Sequence, residues 1–312
     1  MGRPRVVVAL PLAPSLLDQL TDYDLAIVPP GSDNAVMESA MAGAVGMLVS
    51  SNVSVDRQVI TMAPGLRVIS TMSVGFDHID LVAAREREIA VTITPVLSDA
   101  VADLTIALMT MLVRRIPEAM GAVADGQWSV PLGGDLSGKE LLLVGFGRIG
   151  RAVATRALAA GMRVRYVDTG SELPAMDGVD GVDDLEEGLR GADFVSVHVD
   201  LNAGTRHLMG PDQFSAMKPT AFFVNTSRGG VVDQPALVRA LTEGQIAGAG
   251  LDVLQDEPPG PDDPVLSAPN VIIVPHIGSA TVETRNAMAQ CAVDNLLMVL
   301  RGEGSPFVLP SS

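Results

Sequence analysis

Leu141-Leu142-Leu143-Val144 runs straight into Gly145-Phe146-Gly147-Arg148-Ile149-Gly150. Four consecutive apolar residues stopped by glycine read as a strand buried on both faces. The glycines then fall into a G-x-G-x-x-G spacing, and a helical stretch over 151–160 follows until Gly161. Each glycine has a physical task at that spacing. Gly145 makes a tight turn, Gly147 lets backbone approach a pyrophosphate, and Gly150 lets helix pack on strand. The next apolar run, 162–167, ends on Asp168. An acid at that strand end accepts ribose hydroxyls and repels a 2′-phosphate. The stretch is therefore expected to hold a dinucleotide, NAD rather than NADP.

The same alternation extends in both directions. Strands are expected at 5–10, 25–28, 46–50, 66–71 and 90–94, and helices at 15–20, 55–62 and 78–88. Ser98 opens a helix expected to reach about Gly121, with Pro117 kinking or ending it. A Gly/Pro-rich loop covers 126–138, a second strand–helix series runs from Glu140 to Ile277, and a last helix spans 282–300. The expected fold class is α/β, with two doubly wound parallel-sheet domains and a cleft between them. A flavodoxin-like substrate-binding domain takes 1–97 plus 281–312, and a Rossmann dinucleotide-binding domain takes 98–280.

Composition narrows the function. The chain has 312 residues, 47% hydrophobic and 19% charged, which suits two soluble domains. A net charge of −16, with Lys139 and Lys218 the only lysines, argues against nucleic acid. No apolar run reaches the roughly 18 residues of a membrane span. The apolar start is interrupted by Pro11 and Pro14, so it reads as a first strand rather than a secretory leader. The single cysteine, Cys291, allows no internal disulfide and fits a reducing cytoplasm. No cluster has metal-ligand spacing, so no metal is expected.

Three later strands end on chemistry. Phe222-Phe223-Val224-Asn225-Thr226-Ser227-Arg228 turns at Gly229-Gly230; Gly250-Leu251-Asp252-Val253 leads to Glu257-Pro258; Val271-Ile272-Ile273-Val274-Pro275 ends on His276. Open α/β sheets bind ligands at such strand ends. An arginine fork there suits a carboxylate or a keto oxygen. Histidine is the natural proton donor near neutral pH, and a neighbouring carboxylate favours its charged form. Together these groups suit hydride transfer to a 2-keto acid. His78, expected at a helix start, His198, expected in a strand, and His207, expected at the surface, are the competing histidines.

NTSRGGVVD, GLDVLQDEPP and PHIGSAT, together with GFGRIG, resemble the D-isomer-specific 2-hydroxyacid dehydrogenase family over nearly the whole chain. LRVISTMSVGFDHID is especially similar to its glyoxylate/hydroxypyruvate reductases. The resemblance implies that Arg228 binds substrate, His276 is the acid/base, and Glu257 orients and charges His276. It implies that Asp252 holds the nicotinamide amide and that the backbone amides of Val74 and Gly75 take the substrate carboxylate. Val49 and Ser50 are expected to line the same pocket. Arg148, Ile149, Asp200, Thr205, Thr226, Ser227, Gly278 and Ser279 complete the expected cofactor contacts, beside Gly145, Gly147, Gly150 and Asp168. A homodimer is the family's usual assembly. The alternatives are a dehydrogenase for another 2-hydroxy acid or related small anion, and a non-catalytic, NAD-sensing corepressor-like protein.

Three positions depart from the family pattern. Pro95 meets Val96 one residue early, the loop holding Trp128 is short, and Asp200 stands where proline is common.

Overall fold

The computed structural model describes residues 2–29, 31–170 and 175–309, so the extreme residues of the expected 1–97 plus 281–312 domain lie outside it. In chain order the elements are β1 (Arg5–Ala9), α1 (Pro14–Leu17), β2 (Asp24–Ile27), α2 (Asn34–Met41), β3 (Ala44–Val49), α3 (Arg57–Thr61), β4 (Val68–Thr71), α4 (Leu81–Glu86) and β5 (Ala90–Thr92). Then follow α5 (Ser98–Val113), α6 (Ile116–Ala124), β6 (Glu140–Val144), α7 (Arg148–Ala159), β7 (Arg163–Val167), β8 (Val179–Gly181), α8 (Leu185–Gly191) and β9 (Phe194–Val197). The last are α9 (Pro211–Ala216), β10 (Phe222–Asn225), α10 (Gln234–Thr242), β11 (Gly248–Leu251), β12 (Val271–Ile273) and α11 (Val282–Arg301). The chain divides into two compact units, Met1–Leu97 with Thr281–Ser312, and Ser98–Ala280.

The first unit carries a parallel sheet in the order β2-β1-β3-β4-β5, the flavodoxin-like arrangement. Val7, Met47, Val49, Ile69 and Val91 form part of its core. Gly46 makes room for α11: a Cβ there would lie 2.9 Å from Leu296 Cδ1 and 3.3 Å from Leu300 Cδ1. The C-terminal stretch lies on the free edge of β5, with Ile93 N–H donating to Phe307 O at 3.1 Å and Leu309 N–H to Val91 O at 2.8 Å. Covering an edge strand in this way removes a template for aggregation.

The second unit has the order β12-β11-β10-β9-β6-β7-β8, all parallel. Counted from β6, this is the 3-2-1-4-5-6 Rossmann order with a seventh strand added. Side chains alternate between two cores. Leu142, Val195, Phe223 and Leu251 face one, and Leu141, Leu143, Phe194 and Val224 face the other. Each such buried side chain contributes about 1.5–3 kcal/mol of transfer free energy.

Five aspartates cap helix starts. Asp33, Asp56, Asp80, Asp184 and Asp233 each accept the N–H three residues ahead. Such a cap is worth about 1 kcal/mol.

The expected helix from Ser98 to about Gly121 is two helices. Arg115 adopts a left-handed φ of 53°, and Pro117 sits in the first turn of α6. A continuous helix would need the residue 117 N–H to bond Val113 O, and proline has none. Gly134 N–H fills that role from the following loop, donating to Val113 O at 2.8 Å. The helix after the glycine turn begins at Arg148, earlier than residue 151, and so includes Gly150. Among the described residues, no helix is long and apolar enough to cross a membrane.

Candidate active site

The turn from β6 to α7 sits where the strand order reverses, between β6 and β9. Gly145 has φ +100°, and a Cβ there would lie 2.8 Å from His198 C and Val199 N. At Gly150 a Cβ would lie 2.3 Å from Gly145 O, so helix and turn meet backbone to backbone. Gly147 differs: a Cβ there would meet nothing within 4 Å, and it caps α7 without a side chain. Gly147 and Arg148 are exposed and Ile149 is half-buried, so the start of α7 is open to an approaching anion. Phe146 is buried and stacks on Tyr166 with centroids 4.1 Å apart. Asp168, just past β7, accepts Phe146 N–H at 2.6 Å on one oxygen and Gly170 N–H at 2.7 Å on the other. Each oxygen keeps a lone pair for a further donor.

His276, Glu257 and Arg228 are brought together by the ends of β10, β11 and β12. His276 Nδ1 donates to Glu257 Oε2 at 2.7 Å, and Leu254 N–H holds Glu257 Oε1 at 3.0 Å. The pair remains open, with side chains 40% and 37% exposed. Burial pushes the Glu257 carboxyl up, but the His276 bond and charge, Leu254 N–H and the Arg228 charge outweigh it. The result is a carboxyl below its ordinary range, ionised and able to accept. With Nδ1 committed, Nε2 is the imidazole nitrogen left to exchange a proton.

Asp252 is 2% exposed and accepts Ile277 N–H at 2.6 Å and Gly278 N–H at 2.9 Å. His276 N–H donates to Asp252 O at 2.9 Å, and His276 itself holds φ +53°. Burial pushes the Asp252 carboxyl above its ordinary value, against the pull of those two amides and of His276.

In the first unit, Val74 and Gly75 lie on the turn after β4 and are half-buried. The Val49 side chain belongs to the core, while Ser50 is half-buried just past β3.

A family model, D-isomer specific 2-hydroxyacid dehydrogenase, NAD binding domain, matches residues 106–278. The chain belongs to this family. A glyoxylate reductase of Korarchaeum cryptofilum is 47% identical over 81% of this chain and 78% of its own. A crystal structure of a glyoxylate reductase from Paecilomyes thermophila superposes with a TM-score of 0.92 at 31% identity, over 99% of both chains. An NADPH-dependent glyoxylate/hydroxypyruvate reductase from Sinorhizobium meliloti, solved with NADP and malonate, gives 0.90 at 34% identity, over 99% of this chain and 98% of that one.

For a dehydrogenase of this family, the structure adds supports that the sequence did not single out. Asn225, 1% exposed, accepts Ser227 N–H and Ser227 Oγ–H at 3.0 Å each and donates to Arg228 O at 3.0 Å. Gln234 accepts Gln255 N–H at 3.0 Å and donates to Asp263, tying the Glu257 loop to α10. A Cβ at Gly229 would lie 1.8 Å from Leu254 O, so the Arg228 turn and the Glu257 loop touch through bare backbone. A strand-final Asn and an Arg-Gly-Gly were visible signals, but Gln234 gave none.

The Thr226 hydroxyl is buried against Thr105 Oγ1 at 3.0 Å, which leaves its backbone as the part able to face a cofactor. Thr205 Oγ1 donates to Asp200 O and accepts Asn202 N–H at 2.8 Å, so it closes its own turn beside exposed Asp200. Ser279 is half-buried beside buried Gly278. His78 lies in the turn before α4 rather than at the helix start, because Asp80 caps that helix. His198 follows the last residue of β9, and burial pushes it down to about 3, so it stays neutral. His207 is exposed.

Proposed function

We propose that this protein reduces a small 2-keto acid, of the glyoxylate or hydroxypyruvate type, to the D-2-hydroxy acid. The His276–Glu257 bond at 2.7 Å, with the Arg228 charge felt at Glu257, carries this reading. The open face at Gly147 and the uncapped start of α7 suit a dinucleotide pyrophosphate, with Asp168 on the adenosine ribose and Asp252 near the nicotinamide. The bound reduced cofactor supplies the hydride. Arg228 holds the keto oxygen or carboxylate and draws charge toward itself. His276 Nε2 gives its proton to the oxygen that gains charge, while Glu257 stabilises the imidazolium before transfer. The amides of Val74 and Gly75 take the substrate carboxylate. NAD is preferred, because the Asp168 charge opposes a 2′-phosphate. The homodimer usual in this family is supported by exposed Met120, Val123, Trp128, Val130 and Leu132, apolar side chains that a second copy would cover.

The test follows NADH and NADPH absorbance with glyoxylate and, separately, hydroxypyruvate. The expected result is NADH oxidation that is lost in Arg228→Ala and His276→Ala. Turnover with NADPH alone would overturn the role of Asp168. Absence of turnover with either acid, despite NADH binding, would overturn the substrate.

A further inference from the structure

The turn after β4 is held by a run of hydroxyl groups. Thr71 Oγ1 lies 3.0 Å from Ser73 Oγ and 3.0 Å from His78 Nε2, and Ser73 Oγ donates to Gly75 O. Thr71 and Ser73 are buried. Counting protons sets the direction of every bond. A carbonyl only accepts, so the single Ser73 proton is spent on Gly75. Ser73 must then accept from Thr71, which spends the single Thr71 proton. Thr71 must in turn accept from His78, so His78 carries a proton on Nε2.

Both ends of this run are fixed elsewhere. Val55 N–H donates to His78 O at 2.8 Å, Met72 N–H to Val49 O at 2.8 Å, and Thr94 N–H to Ser73 O at 2.9 Å. Gly75 O is thus turned inward. In a trans peptide the following N–H points the opposite way, so the Phe76 N–H faces away from Ser73. Among the described residues, the N–H groups of Val74, Gly75 and Phe76 donate to no backbone oxygen.

We propose that His78 is a positioning residue: through Thr71 and Ser73 it anchors Gly75 O, and with it the turn whose Val74 and Gly75 N–H groups face the substrate carboxylate. This rests on the reading that Val74 and Gly75 receive that carboxylate. It acts through orientation and touches no reacting atom.

Two measurements test it together. Nitrogen-15 NMR of the imidazole rings, in a chain with only four histidines, reads the protonation of each ring nitrogen. Nε2 of His78 is expected to be protonated, and an unprotonated Nε2 overturns the proposal whatever the activity. In steady-state kinetics, His78→Phe removes the donor, and His78→Gln keeps an N–H donor. His78→Phe is expected to raise KM for the keto acid about tenfold, the scale of one lost hydrogen bond, with kcat and KM for NADH nearly unchanged. His78→Gln is expected to recover most of that loss. Ser73→Ala should reproduce the Phe effect, and the double variant should be no worse than Ser73→Ala. Equal loss in the Phe and Gln variants, with kcat and thermal stability falling together, overturns the positioning role. If the wild-type chain turns over no 2-keto acid, the proposed function fails, and the ring-nitrogen result alone then decides the hydrogen-bond run.

Discussion

The turns after β10 and β11 in one unit and the turn after β4 in the other are braced by different chemistry. In the seven-stranded sheet, Asn225 and Asp252 reach out from strand ends and collect backbone N–H groups. In the five-stranded sheet, Thr71 and Ser73 pass a single line of hydroxyl protons toward Gly75. A buried carboxylate or amide grips several points at once, so losing it leaves several orphan donors. A hydroxyl has one proton, so a hydroxyl line has a direction and can be cut at one point. The first arrangement suits residues that must hold a reacting geometry. The second suits a turn that only presents N–H groups.

This contrast can be broken in graded steps. The largest effect is expected from His276→Ala, with kcat down roughly 10²- to 10⁴-fold, read in steady-state assays against unchanged NADH binding. Gly229→Ala comes next. The new methyl would lie 1.8 Å from Leu254 O, so the Arg228 turn and Glu257 loop must separate. A shift near 1 Å costs about 100-fold in kcat, and a variant with wild-type kcat would show that the two loops are not coupled. Asn225→Ala should cost about 1–3 kcal/mol in denaturant unfolding, because the Ser227 N–H and Arg228 O lose their partner. A loss as small as that of a hydroxyl variant such as Ser73→Ala would erase the difference drawn between the two sheets.

The last effect is a gradual slope rather than a single loss. His198 is held neutral by burial, down at about 3, while its unfolded value is about 6.5. The native state therefore binds fewer protons between those values. The associated stability is present above pH 6.5 and is lost as pH falls toward 3, at no more than about 1.4 kcal/mol per pH unit. His198→Gln should flatten thermal stability across that window; an unchanged profile would show that His198 is not the group responsible.

The sequence carried the parallel α/β class and the strand-end residues well, because both are written in local pattern. Buried strands read as apolar runs, and Arg228, Glu257 and His276 follow them directly. It carried less where a distant partner decides. Pro117 announced a helix break, but not that Gly134 would take over the freed Val113 O. The supporting role of Gln234 exists only because Gln255 and Asp263 come to it. The Thr226 hydroxyl turns to Thr105, a residue 121 positions away in the chain. No periodicity encodes such meetings.

α11 packs over Gly46 of β3, and residues 307–309 line β5, so the first sheet is finished by the last part of the chain. During synthesis, residues 98–280 leave the ribosome with every strand of their own sheet present. The five N-terminal strands emerge earlier, and the Gly46 surface gains its cover only when α11 follows. The order of birth is thus reversed in the order of completion: the unit begun first is the one closed last.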